Sequence, residues 1–293
     1  MRVALTGSTG FIGSHVLTEL LGRGHEVEAL VRNDAQAQAV EAKGAKSTVV
    51  DLFDRVALSD VLMGTQGAIH TASPGDETSA DMDTAMLDAV IDAFDGSGRP
   101  YIQISGLWVF GSNTAITETS PFDAPAMVAW KVPIAQRLLD TPGVRGVVPV
   151  SAVAYGDGGG GIPGLLMGSP RDDDGNLVTV GTGRQHWPTV HVADIADFFR
   201  RALEDEGARG YYVLGNGVNS TAADITQAAA VAVGAPGAVP GSDDEARQRV
   251  GDYFAEVLLL DQGTDAARAR AELGWIPSHP SLIDEFVEGS YRA

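Results

Sequence analysis

Three glycines at intervals of three lie in Thr6-Gly7-Ser8-Thr9-Gly10-Phe11-Ile12-Gly13. They separate an apolar run at Val3–Leu5 from Ser14–Leu21, where Val16, Leu17, Leu20 and Leu21 recur at helical spacing. Such a loop can hold a pyrophosphate. Gly7 permits a sharp turn, Gly10 lets the backbone approach the phosphates, and Gly13 lets the helix pack closely on the sheet. The helix start adds unpaired N–H groups and the positive end of a dipole. A strand before and a helix after, at the head of a βα alternation, is the context the motif requires. The residue following the second strand, Glu26–Val31, then discriminates between dinucleotides. An acid there would bind the ribose hydroxyls of NAD(H). Here Arg32 and Asn33 follow, and a guanidinium suits a 2′-phosphate, which favours NADP(H). Asp34 is the competing ribose ligand that would select NAD(H).

Residues 126–131 read AMVAWK, and Lys131 is one of three lysines, beside Lys43 and Lys46. An apolar stretch ends at Trp130, and Pro133 follows. Trp108, Met127 and Trp130 would suit an apolar, π-rich or cationic ligand, each weighed against ordinary packing. Other chemistries are excluded by residue type. The chain has no cysteine, hence no disulfide, thiolate metal site or cysteine nucleophile. Its six histidines are scattered, with no His-x₃-His pair, and Asp172–Asp174 reads as solvated, so no metal site is expected. No G-x-S-x-G elbow is present, which argues against a serine hydrolase.

The elements that must position these residues alternate. Strands at Val3–Leu5, Glu26–Val31, Ser47–Val50, Ala68–Thr71, Tyr101–Ile104 and Val144–Val150 are interleaved with helices at Ser14–Leu21, Ala35–Ala42, Arg55–Leu62, Ala80–Phe94 and Val128–Leu139. That order implies an α/β fold, a doubly wound parallel sheet of the Rossmann type. Residues 1–150 form the dinucleotide-binding domain, completed by about 185–214, where a helix over 192–206 precedes a strand at Gly210–Leu214. Residues 151–184 and 215–293 form a smaller C-terminal substrate-binding lobe. Within it, YGDGGGGIPG (155–164) reads as an irregular loop, either a plain connection or a cover for the ligand, and 234–244 as a surface loop rich in Gly, Pro and Asp. With 293 residues, 44% hydrophobic and 20% charged, the chain can bury a sizeable core. A net charge of −19 repels nucleic acid and anionic lipid, so neither is expected as a partner. No apolar run approaches the length of a membrane span, and the N-terminus reads as a strand rather than a signal peptide. A cytoplasmic protein acting on a small molecule is the expectation.

The G-x-x-G-x-x-G spacing of TGSTGFIG resembles the extended short-chain dehydrogenase/reductase superfamily, also called the NAD-dependent epimerase/dehydratase family. Other segments are similar to its landmarks. Asp51-Leu52 looks like the adenine-contacting pair after strand three. HTASP (70–74) looks like the strand-four motif, placing Thr71, Ala72 and Ser73 beside the nicotinamide ribose, and resembles plant-type dihydroflavonol and cinnamoyl-CoA reductases. ISGLWVFG (104–111), PTVHVAD (188–194) and LGWIP (273–277) match later landmarks, so the resemblance spans nearly the whole chain. It also implies a homodimer formed through a pair of helices, one carrying Lys131.

Members of this superfamily use Ser/Thr, Tyr and Lys, the last two as Tyr-x-x-x-Lys. Lys131 matches the lysine and is expected to bind the nicotinamide ribose. Four residues earlier stands Met127, which transfers no proton; Lys43 and Lys46 are preceded at that distance by Ala39 and Ala42. The usual serine position, counted back from Gly111, is Gly106, with Ser105 one residue earlier. The resemblance therefore implies a cofactor site with an altered acid/base set. A reductase for an imine tolerates that loss, because an iminium ion accepts hydride without a proton arriving in step, whereas a positioned acid otherwise contributes roughly 10²–10⁴-fold. Reduction of a small apolar carbonyl would need a substitute donor, from Ser105, Tyr155 or His186, with His191 and Asp194 as further carriers. Gly106, Trp108, Met127, Tyr155 and His186 are the expected substrate contacts. The alternative is a non-catalytic NAD(P)-binding sensor or regulator.

Overall fold

The structure, a computed structural model, describes residues 1–292. In its first half, β1 (Arg2–Thr6), α1 (Phe11–Gly22), β2 (Glu26–Val31), α2 (Asp34–Glu41), β3 (Lys46–Val49), α3 (Arg55–Met63), β4 (Gly67–His70), α4 (Ser79–Phe94) and β5 (Pro100–Gln103) alternate as the periodicity predicts. A two-residue strand β6 (Ser105–Gly106) and a 3₁₀ turn at Leu107–Phe110 lead toward α5 (Lys131–Leu139) and β7 (Arg145–Ser151). Then come β8 (Val153–Tyr155), α6 (Gly161–Met167), β9 (Leu177–Val178), β10 (His186–His191), α7 (Val192–Glu204), β11 (Gly210–Leu214), β12 (Asn219–Thr221) and α8 (Ala222–Ala232). The chain closes with β13 (Ala238–Val239), α9 (Asp243–Val250), α10 (Asp252–Leu258), α11 (Ala267–Leu273) and α12 (Leu282–Val287).

The main sheet is parallel, in the order β11-β7-β5-β4-β1-β2-β3, with β6 extending the β5 position along β7. Strand order reverses between β1 and β4, and their carboxyl ends open the crevice where such sheets bind ligands. Val3, Leu5, Ile69 and Ile102 are fully buried between the helical layers. One layer is anchored by α7, whose Phe198 and Phe199 are buried; sealing each ring contributes about 1.5–3 kcal/mol. In the lobe, β12-β10-β8 and β13-β9 form small sheets around a second apolar cluster that includes Leu166, Trp187, Ile225 and Phe286. Of the segment 185–214, α7 and β11 complete the Rossmann layers, while β10 pairs within the lobe. Among the described residues, no helix is long and apolar enough to cross a membrane.

Three local expectations change. The helix expected from Val128 begins at Lys131, after turns closed by Val128 N–H to Pro125 O (2.9 Å) and Lys131 N–H to Val128 O (3.1 Å). Pro133 explains the shift. It has no N–H for Ala129 O and fits only the first turn of a helix. The glycine run over 155–164 is more regular than its composition implies, because burial of Ile162, Pro163 and Leu166 draws α6 back to Gly161. In 234–244, Ala238–Val239 pairs with β9, and Ser242 and Glu245 form a reciprocal cap that starts α9.

Candidate active site

The glycine loop turns at the carboxyl end of β1, where Gly7 has φ 73°. A Cβ on Gly7 would lie 2.7 Å from the Thr71 carbonyl carbon, and one on Gly13 would lie 2.1 Å from Gly7 O. Neither position admits a side chain, so loop, helix and β4 meet in direct backbone contact. They enclose a groove of about 280 Å³ lined by Ser8, Thr9, Arg32, Leu52, Thr71 and Ser73, among others. Ser8 Oγ is buried there without a partner among the described residues. A hydroxyl left unpaired beside a backbone cradle fits a phosphate oxygen. Arg32 forms no ion pair with a described residue, so its guanidinium is available at the groove. These residues fit a dinucleotide.

Two neighbours are occupied otherwise. Asp51 accepts Phe53 N–H (3.0 Å) in a local turn, and Asn33 caps α2 through Gln36 N–H (3.0 Å). Neither lines the groove, nor does Asp34; Leu52 and Gln36 do. Short polar side chains that follow a strand often satisfy nearby backbone first.

Beyond the phosphate loop the groove opens into a cleft of about 710 Å³. Its walls are chiefly apolar, including Ile104, Leu107, Trp108, Val128, Trp187 and Phe254. Trp108 and Phe254 meet edge to face with centroids 6.1 Å apart. Among the described residues, Lys131 is the only lining side chain that carries a charge. Its Nζ lies 3.4 Å from Asp83 Oδ2. Asp83, from α4, is 3% exposed. His70 Nε2 meets its other oxygen at 3.0 Å, Gln103 Nε2 donates to Oδ2 at 2.8 Å, and His70 Nδ1 stands 2.7 Å from Thr6 Oγ1. Burial alone would raise the Asp83 carboxyl; the bond and charge of His70, then Lys131 and Gln103, hold it below its ordinary value. The carboxylate is thus ionised and balances the lysine beside the cleft.

The expected proton carriers divide. Ser105 and Gly106 both line the cleft, and Ser105 Oγ bonds to no described residue. The other lining hydroxyls are engaged: Thr71 donates to Thr6 O and Ser151 to Ala152 O, both at 2.8 Å, and Ser73 stands 3.4 Å from Ser79 Oγ. Tyr155 is fully buried in the lobe and donates to Pro280 O (2.7 Å), and burial raises its hydroxyl well above the ordinary range. It lines no cleft surface and donates no proton there. His186 points to Asp261 (2.9 Å) outside the lining, and the adjacent Trp187 takes its place. His191 stacks on His279 with centroids 4.3 Å apart, and Asp194 is bonded to the 278–279 segment. Met127 is 39% exposed in the turn before α5, and Val128 occupies the wall instead. Trp130 is half-buried, with Lys131 Nζ 4.2 Å from its ring centroid, and does not line the cleft. Asp83, Phe254 and Gln262 join the site with no signal from motif spacing, although His70 already marks the strand end that Asp83 meets.

The NAD(P)H-binding family matches residues 7–130. Mouse epimerase family protein SDR39U1 is 29% identical over 96% of this chain and 97% of its own. A Streptomyces 3-diazoavenalumate denitrifying reductase is 26% identical over 97% and 98%. The crystal structure of human SDR39U1 with NADPH superposes with TM-score 0.76 and 22% identity, covering 99% of each chain. Other solved neighbours of this fold hold NAD. Together with the glycine loop, the reversal of strand order and the groove, these similarities show a Rossmann-type fold whose residues 7–130 match an NAD(P)H-binding family, in a chain similar to the epimerase family protein SDR39U1 over nearly its whole length.

Proposed function

We propose that this protein is an NADPH-dependent reductase whose preferred substrate is a small apolar imine, reduced in its protonated, iminium form. The observation that carries this reading is an apolar cleft whose one charged side chain, Lys131, is neutralised by Asp83, with Met127 turned away from the wall. A reduced nicotinamide bound along the groove supplies hydride. The electrophilic carbon accepts it, the C=N π pair moves to nitrogen, and a neutral amine results. No proton has to arrive in that step. A ketone treated the same way becomes an alkoxide and needs a donor, and the cleft offers only the Ser105 hydroxyl and the Lys131 ammonium.

The chain's own groups hold, orient and exclude. Gly7, Gly10, Gly13 and Ser8 cradle the pyrophosphate, and Arg32 takes the 2′-phosphate that favours NADPH over NADH. Lys131, fixed by Asp83, would hold the nicotinamide ribose. The indole and phenyl faces of Trp108, Trp187 and Phe254 exclude water and attract a flat cation. Because Asp83 compensates Lys131, the cleft does not repel that cation. The relative named as a denitrifying reductase of a diazo compound acts on a nitrogen-containing group, which supports a substrate with a C=N bond. NADPH oxidation with a panel of cyclic imines and matched ketones tests the reading. Imine turnover exceeding ketone turnover is expected. Tight NADPH binding without turnover of either class contradicts the reading and favours the sensor.

A further inference from the structure

The carboxamide of Gln262 is 4% exposed and lies against the cleft. Its Nε2 donates to Leu107 O and to Gly111 O, both at 2.8 Å. Two carbonyl acceptors at that distance fix which end of the amide is nitrogen, since an oxygen there would face two oxygens. Both N–H bonds are therefore spent on the short turn that carries Trp108. The other end, Oε1, accepts from no described residue. Gln103 Oε1, by contrast, is wholly sealed, which Gln262 Oε1 is not. An accessible oxygen on an otherwise buried, cleft-lining side chain opens into the cleft.

The backbone holds this group rigidly. Gln262 N–H donates to His186 O (3.1 Å), Asn113 N–H to Asp261 O (2.9 Å) and Gly263 N–H to Asn113 O (2.9 Å). Asp261 N–H donates to Ser112 Oγ (3.2 Å). A Cβ on Gly263 would lie 2.4 Å from Thr114 O, so the backbone after Gln262 packs directly against that of Thr114. With its donors consumed, the amide presents the cleft with an acceptor alone.

We infer that Gln262 Oε1 is a substrate-recognition group that accepts a hydrogen bond from a cationic N–H on the electrophile, so that this cleft selects protonated imines bearing an N–H over N-alkylated iminium ions and over ketones. The inference rests on the reductase reading and narrows its substrate class. An acceptor held in place gains a charge-assisted bond to N–H⁺. Facing a ketone or an N-methyl cation it stays unpaired in an apolar wall, which is how a polar group rejects an analogue that lacks its partner.

The test uses dihydroisoquinolinium and N-methyl-dihydroisoquinolinium as substrates, and tetrahydroisoquinoline, its N,N-dimethyl ammonium salt and 1-tetralone as ligands of the full-length protein saturated with NADP⁺. The N–H forms are expected to react and bind about 10- to 100-fold better, the range of one hydrogen bond to a charged group. Gln262→Leu should bring both ratios toward unity while NADPH affinity, read by fluorescence, confirms the fold. If that variant fails to fold, the wild-type ratios still decide. Equal binding of the quaternary salt, or of 1-tetralone, overturns the inference, as does a ratio that survives in Gln262→Leu. Preferred binding of the N–H ligand without turnover of either substrate leaves the inference standing and contradicts the reductase reading.

Discussion

Lys131 and Asp83, 48 residues apart in sequence, meet at 3.4 Å with the carboxylate on the sheet side and the lysine at the cleft. The pair makes the lysine a fixed, electrically balanced group rather than a free charge. Removing the carboxylate should expose that charge. Asp83→Asn is expected to raise KM for a cationic imine by roughly tenfold or more, through repulsion in a poorly screened cleft, and to affect a neutral ketone less. Equal losses for both substrates would place Asp83 in a purely structural role.

The same substitution bears on acid stability. The folded-state pKa of Asp83 lies below its ordinary value of 3.8. Its contribution is therefore complete above that value and is lost as pH falls through the lowered folded pKa. Asp83→Asn should cost about 1.5–3 kcal/mol near neutrality, the worth of a hydrogen bond to a charged group, and should flatten the decline in stability below pH about 4. Thermal melts of both proteins between neutral and acid pH check this, and an unchanged acid limb would contradict it.

The proposed preference for NADPH rests on one exposed side chain. Arg32→Ala should weaken NADPH binding by about 10- to 100-fold, as expected for one charge-assisted contact, and leave NADH nearly unchanged. Parallel titrations measure it. Equal weakening of both cofactors, or tighter NADH binding in the wild type, removes the 2′-phosphate role.

Position 127 gives a sharper expectation than motif comparison does. Tyr-x-x-x-Lys places its tyrosine one helical turn before the lysine. Here Pro133 confines α5 to Lys131 and beyond, and residue 127 lies in a turn with its side chain partly in solvent. Met127→Tyr should therefore leave ketone reduction unchanged. Gly106→Ser is the more informative replacement, because a Cβ there meets nothing closer than Ser151 O at 3.9 Å. It should raise ketone turnover, and no change would argue that the cleft needs more than one added hydroxyl.

How much of this was readable in the sequence follows the range of the interactions. The βα alternation, the glycine loop with Ser8, and Arg32 after the second strand follow from local periodicity and turn chemistry, while Leu52 and Thr71 follow from the family resemblance. Lys131 matches the family lysine and Ser105 stands next to the usual serine position, Gly106, and both line the cleft. The partners that give them meaning come from elsewhere in the chain. Asp83 sits on a helix face that pattern marks only as amphipathic. Gln262 reaches Gly111 from 151 residues away. Tyr155 and His186 misled because residue type suggests proton transfer, while burial and the Pro280 carbonyl engage the first and Asp261 the second. Pro133 was visible all along as a limit on the helix start.

The central claim is that the reducible group brings its own positive charge and needs no acid from the protein. The pH dependence of kcat/KM, measured with two cyclic imines of different basicity and with an N-methyl iminium salt, tests it most directly. The alkaline limb should move with the pKa of each imine and be absent for the permanently charged salt, however weakly that salt is turned over. A limb that stays at one pH for all three substrates would mean that an ionisation of the protein supplies the proton, and would contradict the claim.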